Sequence, residues 1–317
     1  MQYERKNDSG GGFMSVKKNT QTLTERKLKK GLFMGAMMLP ATIGFLVFYV
    51  YVNFDSMLMA FRVTEDGVEK FGFGNFSYFF KELSNPMSVF PEAIRNTGIF
   101  FLLSFAVLFF SLLVAYFVYK KTPGYKAFRF IFYLPCIIMS TATASLFYYV
   151  TRSEGPVDVI YRALMNGEAL PSLWSEPGTA NKMLAFYTVF YGVGGNMILL
   201  LGAMSNISPE IFEAARLDGV GWVRELFQLI IPLIWPTLSV ILLQLITALT
   251  QASGPVFLFT KGKAGTTTLS YWLYARLLEG SMLEVSAAIG WCCTMLTFPI
   301  ALLAKRILNK IEDKIGA

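Results

Sequence analysis

Several uncharged polar side chains lie inside otherwise apolar stretches of the sequence. Gln244, Thr247 and Gln251 follow one another at i, i+3 and i+7, so they would share one face of a helix. Amides and hydroxyls form hydrogen bonds with neutral hydroxyl groups, and aromatic rings pack on the apolar faces of sugars. We therefore predict a path for a neutral saccharide or polyol. Further aromatic and amide side chains that could line it are Tyr148, Tyr191 and Asn196.

The alternative for these polar residues is a structural role, in which they form hydrogen bonds between helices or lie at the membrane interface. Catalytic chemistry is not indicated. The sequence contains no histidine and three cysteines, which excludes zinc chemistry and histidine acid-base catalysis. It also contains no glycine-rich loop that could bind phosphate groups. We predict a chain that is not an enzyme and that binds no metal or cofactor of its own.

The polar residues must be positioned by membrane helices. Only 15% of the 317 residues are charged, compared with about 25% in soluble domains. Six stretches of 20 to 35 residues contain no charge at all, and about 20 apolar residues suffice to cross a bilayer as a helix. We predict an all-α integral membrane protein with six transmembrane helices. The predicted spans are residues 31–54, 96–119, 130–151, 183–207, 233–255 and 285–304.

The distribution of charge predicts the orientation of these spans. The net charge of +7 could indicate nucleic acid, but it divides into +9 on the side that holds both termini and −2 on the other. The positive-inside rule then places both termini in the cytoplasm, with the basic clusters near anionic lipid headgroups rather than nucleic acid. We expect a disordered basic tail at 1–30, a permease domain at 31–306 and a C-terminal tail at 307–317.

The segment at 208–232, between the fourth and fifth spans, has the pattern of two short helices joined by a hinge. Ser208 and Pro209 are typical of a helix start, and Gly219 is typical of a helix stop. A second helix is predicted at 222–231, ending before Pro232.

Three apolar side chains of the first short helix could contact a partner protein: Ile211, Phe212 and Leu217. The alternative is an amphipathic loop that lies on the membrane without a partner.

The order of residues in this loop resembles a known motif. Glu213-Ala214-Ala215, with Gly219 four positions later and Pro232 at the end, resembles the EAA coupling motif of bacterial ATP-binding-cassette importer permeases. The pattern is similar to the carbohydrate-uptake branch, which includes the maltose, multiple-sugar and glycerol-phosphate permeases. Other segments that resemble this family are residues 73–78, 93–97, 128–135 and 194–197.

The resemblance implies a type I importer (MetI-like) fold with cytoplasmic coupling helices in a bacterial cytoplasmic membrane. It implies a second homologous permease, a cytoplasmic ATPase dimer that binds ATP and Mg, and an extracytoplasmic solute-binding protein. The ATPase-coupling residues implied by the motif are Glu213, Ala214, Ala215, Arg216, Asp218, Gly219 and Pro232. After the fifth span, many members carry Thr-Gly-Gly-Gly-Pro, where this chain has Thr260-Lys-Gly-Lys-Ala264.

The expected function is the permease subunit of an ATP-driven importer for sugars or oligosaccharides. Alternatives are another neutral or phosphorylated polyol, or a polyamine. An ion-coupled secondary carrier is disfavoured, because such carriers place charged residues inside their spans and these spans contain no Asp, Glu, Lys, Arg or His. The loops at 55–95 and 152–182 either receive the binding protein or serve only as lids on the bundle.

Overall fold

The structure is a computed structural model that describes residues 23–65, 68–85, 87–251, 255–280 and 282–315. Residues 1–22 of the predicted N-terminal tail lie outside the described residues. Residues 23–30, the remainder of that predicted tail, are helical.

The first helix consists of α1 (Leu23–Gly44), a π-helical segment (Phe45–Tyr51) and α2 (Val52–Met59). It begins ahead of the predicted span start at residue 31. The stretch from Lys27 to Met59 is long and apolar enough to cross a membrane. Residues up to Ser56 form a compact unit of their own, and the rest of the chain forms a second unit.

A small hairpin opens the second unit, which the sequence did not lead us to expect. Strands β1 (Arg62–Glu65) and β2 (Val68–Phe71) pair antiparallel, with Arg62 opposite Phe71, and helix α3 (Gly74–Ser84) follows. The buried Asn75 amide donates hydrogen bonds to the carbonyls of Ala60 at 3.1 Å and Arg62 at 2.7 Å. Strands of four residues are too short for an alternating pattern to identify them.

The remaining helices form the bundle and its loops. They are α4 (Phe90–Tyr119), α5 (Tyr125–Ile137), α6 (Ser140–Thr151), α7 (Pro156–Leu164), α8 (Pro177–Ser205), α9 (Pro209–Leu217), α10 (Trp222–Arg224), α11 (Ile231–Leu233), α12 (Trp235–Thr247), α13 (Val256–Phe259), α14 (Leu269–Leu278) and α15 (Leu283–Ile315). A π-helical segment (Glu225–Ile230) joins α10 to α11, and a 3₁₀ turn (Leu249–Gln251) follows α12. Helix α15 continues through most of the predicted C-terminal tail.

The structure contains four to six candidate spans, a range that includes the predicted six. In the described part of the chain, the first helix, α4, α8 and α15 are each long and apolar enough to cross a membrane. Two bent helix pairs are also long and apolar enough in total, and counting each pair as one span gives up to six. One pair bends by 113° between α5 and α6, and the other bends by 81° between α11 and α12.

Helices α4 and α8 pack against each other over much of their length and form the centre of the second unit. Helices α5 and α12 pack on α8, and α15 packs on α12 and α3. Lipid tails are as apolar as these side chains, so close packing rather than exclusion of water holds such helices together. The buried cluster between α4, α8 and the α10–α12 region includes Leu108, Leu112, Ala115, Tyr116, Met197, Leu200, Met204, Leu226, Ile230, Leu238 and Ile241.

Gly194 allows α5 to approach the backbone of α8 closely. A Cβ atom at this position would lie 2.0 Å from the Phe132 carbonyl oxygen and 2.6 Å from the Cys136 Sγ. Neither backbone can give way without moving a whole helix. A residue without a side chain is therefore required where α5 and α8 meet.

We predict that Gly194→Ala destabilises the protein by roughly 1–3 kcal/mol, because the added methyl group forces α5 away from α8. The neighbouring Gly195 is the matched control, since nothing lies within 4 Å of a Cβ built there. Gly195→Ala should be neutral or slightly stabilising. Thermal unfolding of the detergent-solubilised variants measures the difference, and equal stabilities of the two would contradict the packing described here.

Candidate functional site

The segment 208–221, called the α9 loop below, contains helix α9. This helix ends in the hydrogen-bond pattern of a Schellman motif. The Val220 N–H donates to the Ala215 carbonyl at 3.0 Å, and the Gly219 N–H donates to the Arg216 carbonyl at 3.1 Å. Gly219 has a φ of +68°, in the left-handed region that favours glycine. Ser208 occupies the N-cap position, but its side chain makes no capping hydrogen bond. Gly219 therefore ends helix α9 as the sequence predicts. At the start of the helix, only Pro209 adopts its predicted role.

Helix α9 has one free face and one packed face. Glu213, Ala214, Arg216 and Asp218 are exposed, and the Leu217 side chain is 89% exposed. Ala215 is buried. The motif residues thus lie on both faces, with the charged ones accessible.

Of the three apolar side chains predicted to contact a partner from α9, only Leu217 is largely exposed. Ile211 and Phe212 pack against the buried cluster of the bundle, and only Leu217 is free. The Phe212 ring lies 5.4 Å from the Tyr119 ring, between ring centroids, at the end of α4. A crevice of about 360 Å³ remains between the end of α4 and α9, and Lys121, Glu213 and Arg216 help to line it.

The segment after α9 departs from the predicted second helix at its end. It begins at Trp222, as predicted, but remains helical through Pro232 to Leu233, and the break falls at Ile234. A proline has no N–H to donate and clashes with the carbonyl four residues before it. The wider π-helical segment just before Pro232 changes that spacing, which explains why the break falls two residues later.

The predicted polar residues of the fifth span have exposed side chains in the structure. Gln244, Thr247 and Gln251 all have exposed side chains. However, α12 ends at Thr247, whose hydroxyl donates to the Gln244 carbonyl at 2.9 Å, and Gln251 lies in the following 3₁₀ turn. The prediction that all three share one face of a continuous helix is therefore wrong for Gln251. Asn196 lies half-buried on α8.

An aromatic cluster that the sequence did not reveal joins Tyr148 to Tyr191. Trp174 lies 5.7 Å from Tyr148 and stacks on Phe259 at 4.8 Å with an interplanar angle of 2°. Phe259 meets Tyr187 at 4.8 Å, and Tyr187 stacks on Tyr191 at 5.7 Å. All distances are between ring centroids. Four segments of the chain supply these rings, so no spacing along the sequence could have identified the cluster.

The loop between α13 and α14 is held by side-chain hydrogen bonds from α4 and α8. The Asn96 side chain donates hydrogen bonds to the carbonyls of Gly265 at 2.9 Å and Thr267 at 2.8 Å. Asn181 donates to the same Gly265 carbonyl at 3.1 Å, and the Leu269 N–H donates to the Thr97 hydroxyl at 2.8 Å. Residues 93–97, which the sequence singled out, thus hold the loop that follows the fifth span.

The loop after α6 is organised by one buried carboxylate. Asp158, 1% exposed, accepts hydrogen bonds from Arg162 at 3.0 Å and from the backbone N–H groups of Glu154 at 2.9 Å and Leu170 at 2.8 Å. Arg162 and these backbone donors hold the pKa of the Asp158 carboxyl well below its usual range, at about 2. The loop therefore has a charged anchor that stays ionised at physiological pH.

The sequence matches a known family over most of the bundle. Residues 107–316 match the family described as binding-protein-dependent transport system inner membrane component. The chain is 24% identical over 285 residues to the probable ABC transporter permease protein YurN of Bacillus subtilis (strain 168), covering 87% of this chain and 96% of YurN. It is 29% identical over 237 residues to the lactose transport system permease protein LacF of Rhizobium radiobacter, covering 72% of this chain and 77% of LacF.

A solved structure has the same fold. A chain from a bacterial ABC transporter involved in the import of the acidic polysaccharide alginate superposes with a TM-score of 0.77 at 22% identity. The superposition covers 92% of this chain and 99% of that chain. A second structure of an alginate transporter, in complex with a periplasmic protein bound to alginate pentasaccharide, superposes with a TM-score of 0.74. The predicted permease fold is confirmed.

We predict that Asp158→Asn loosens the loop between α6 and α8, because the neutral amide leaves Arg162 without its counter-ion and cannot satisfy all three donors. Limited proteolysis of the purified protein should cleave residues 152–176 faster in this variant than in the wild type. Glu168→Gln removes an exposed carboxylate from the same loop and is the matched control. Equal cleavage rates in both variants would refute the anchoring role.

Proposed function

Because this chain belongs to the family of binding-protein-dependent transport system inner membrane components, we propose that it is the permease subunit of an ATP-driven importer of sugars or oligosaccharides. The observation that carries the proposal is the α9 loop. Within the region that matches the family, this loop has a rigid hydrogen-bonded stop and an exposed, charged face.

The proposed solute is uncharged or carries few charges. The relatives include permeases whose names specify lactose and arabinooligosaccharides. The six apolar stretches of this chain contain no Asp, Glu, Lys, Arg or His that could pair with a charged solute inside the membrane. Exposed amides and hydroxyls suit a solute recognised through its hydroxyl groups.

In the proposed assembly, the face of α9 that carries Glu213 and Arg216 binds a cytoplasmic ATPase. The ATPase dimer would bind ATP and Mg, so this chain would need no cofactor and would catalyse no reaction. Closure of the ATPase dimer would push α9. The bundle would then rotate as a rigid body between an inward-open and an outward-open state. The +9 side of the chain, which includes α9 and both termini, would then face the cytoplasm.

A second homologous permease would complete the pore. The solute path would run along the exposed face of α12 and past the neighbouring polar groups. We assign to this path Gln244, Thr247, Gln251, Asn196, Tyr148 and Tyr191. The loops on the opposite side from α9, anchored by Asp158 and Asn96, would receive the solute-binding protein. The alginate transporter that forms a complex with a periplasmic protein supports this arrangement.

Reconstitution tests the proposal directly. The chain should be purified with the proteins encoded next to it and placed in liposomes together with the associated solute-binding protein. ATP-dependent accumulation of a labelled oligosaccharide is the expected result. Failure of the chain to copurify with an ATPase, or accumulation that needs an ion gradient instead of ATP, would overturn the proposal.

We predict that Gly219→Val lowers uptake roughly tenfold or more while the protein still inserts in the membrane, because a β-branched residue at φ +68° costs about 1–2 kcal/mol and misplaces α10. Gly221→Val is the matched control, since Gly221 has a φ of −71° that any residue adopts. Solute uptake into cells, with membrane protein amounts measured by immunoblot, tests both variants. Normal uptake by Gly219→Val would refute the role of α9 in coupling.

We predict that Gln244→Ala and Gln251→Ala each raise the solute concentration for half-maximal uptake about two- to tenfold, as expected for the loss of a hydrogen bond of about 0.5–1.5 kcal/mol. Gln228, an exposed glutamine of the π-helical segment outside the proposed path, provides the control variant Gln228→Ala. If Gln244→Ala and Gln251→Ala both left the uptake kinetics and the solute range unchanged, these two residues would not line the solute path.

A further inference from the structure

A nearly buried ion pair joins the end of α4 to the segment that follows α9. The Lys120 Nζ lies 2.5 Å from the Glu225 Oε1, across 105 residues of sequence. The side chains are only 20% and 8% exposed. Lys120 directly follows the last residue of α4, and Glu225 is the first residue of the π-helical segment.

The same lysine also touches α9. Its ammonium group lies 5.3 Å from the centroid of the Phe212 ring, which is a cation–π contact. Phe212 in turn packs on Tyr119, and Tyr116 of α4 faces the Glu225 carboxylate. One side chain therefore connects three elements: the end of α4, the helix that carries the coupling motif, and the helical segment that leads into the fifth span.

A gain in stability alone does not explain why an ion pair is nearly buried at this position. Removing two charges from water costs free energy that their attraction barely restores, and an apolar pair of similar volume often stabilises a protein as much. Removing one partner is costly, because the other charge is then buried alone. The remaining role for a buried ion pair is to hold the elements that carry it in one relative position, as such pairs do in some proteins.

We propose that Lys120 and Glu225 form the link through which displacement of α9 reaches the transmembrane bundle. The inference rests on the proposed function and assigns positioning roles to two residues outside the EAA motif. Movement imposed on α9 would pass through Phe212 and Lys120 to the end of α4, and from α4 to α8 through their shared core. Glu225 keeps Lys120 in place and ties the start of the fifth span to the same point.

The test uses the whole transport complex in liposomes and measures the number of ATP molecules hydrolysed per solute molecule transported. Lys120→Ala and Glu225→Gln should each raise this ratio at least about tenfold, because hydrolysis would no longer move the bundle. Lys120→Arg and the exchanged pair Lys120→Glu with Glu225→Lys should restore the ratio to within about threefold of the wild type, since each retains an ion pair. Lys126→Ala, an exposed lysine of α5, is the matched control.

A merely structural role would lower complex yield or thermal stability and leave the ratio unchanged in the complexes that remain. Wild-type ratios in both Lys120→Ala and Glu225→Gln would therefore overturn the inference. The inference would also be wrong if Lys120→Arg and the exchanged pair both assembled and stayed uncoupled. Failure of the proposed function itself is distinguishable, because then the wild-type complex would show no ATP-dependent uptake.

Discussion

Close packing between α4 and α8 is the interaction on which the rest of the structure depends. In a bilayer, apolar side chains gain little by leaving lipid for protein, so helices stay together only where their surfaces fit. Leu112, Met197 and Leu200 fill the contact between α4 and α8, and Gly194 lets α5 approach the same helix. Packing of this kind would allow the displacement proposed at α9 to move α4, α5 and α8 together.

The two ends of this unit are stabilised by different chemistry. At the α9 end, a nearly buried ion pair and aromatic contacts fix the loop on α4. At the opposite end, the amide of Asn96 and the carboxylate of Asp158 bind backbone groups of loops that have no regular secondary structure to satisfy them. Charged groups are thus confined to the two ends of the unit, and the predicted spans between them contain no Asp, Glu, Lys or Arg.

The differences between the sequence pattern and the structure share a physical cause. The apolar residues Ile211 and Phe212 were expected to be exposed on α9, yet both are partly buried against the bundle. Gln251 was expected on the face of a continuous helix, yet α12 ends at Thr247. In each case, the local sequence pattern does not specify which residues pack around it. Whether an apolar side chain is exposed, or whether a helix continues, depends on neighbours that are distant in the sequence.

The sequence by itself determined the six spans, the division of charge between the two sides and the stop of α9 at Gly219, because hydrophobic length, charge and backbone freedom are local properties. The tertiary structure alone decided which residues meet. Lys120 and Glu225 are 105 residues apart, and Asn96 binds the Thr267 carbonyl across 171 residues. Four segments build the cluster around Trp174. Such contacts follow from how the helices pack, and a single sequence carries no local signal for them.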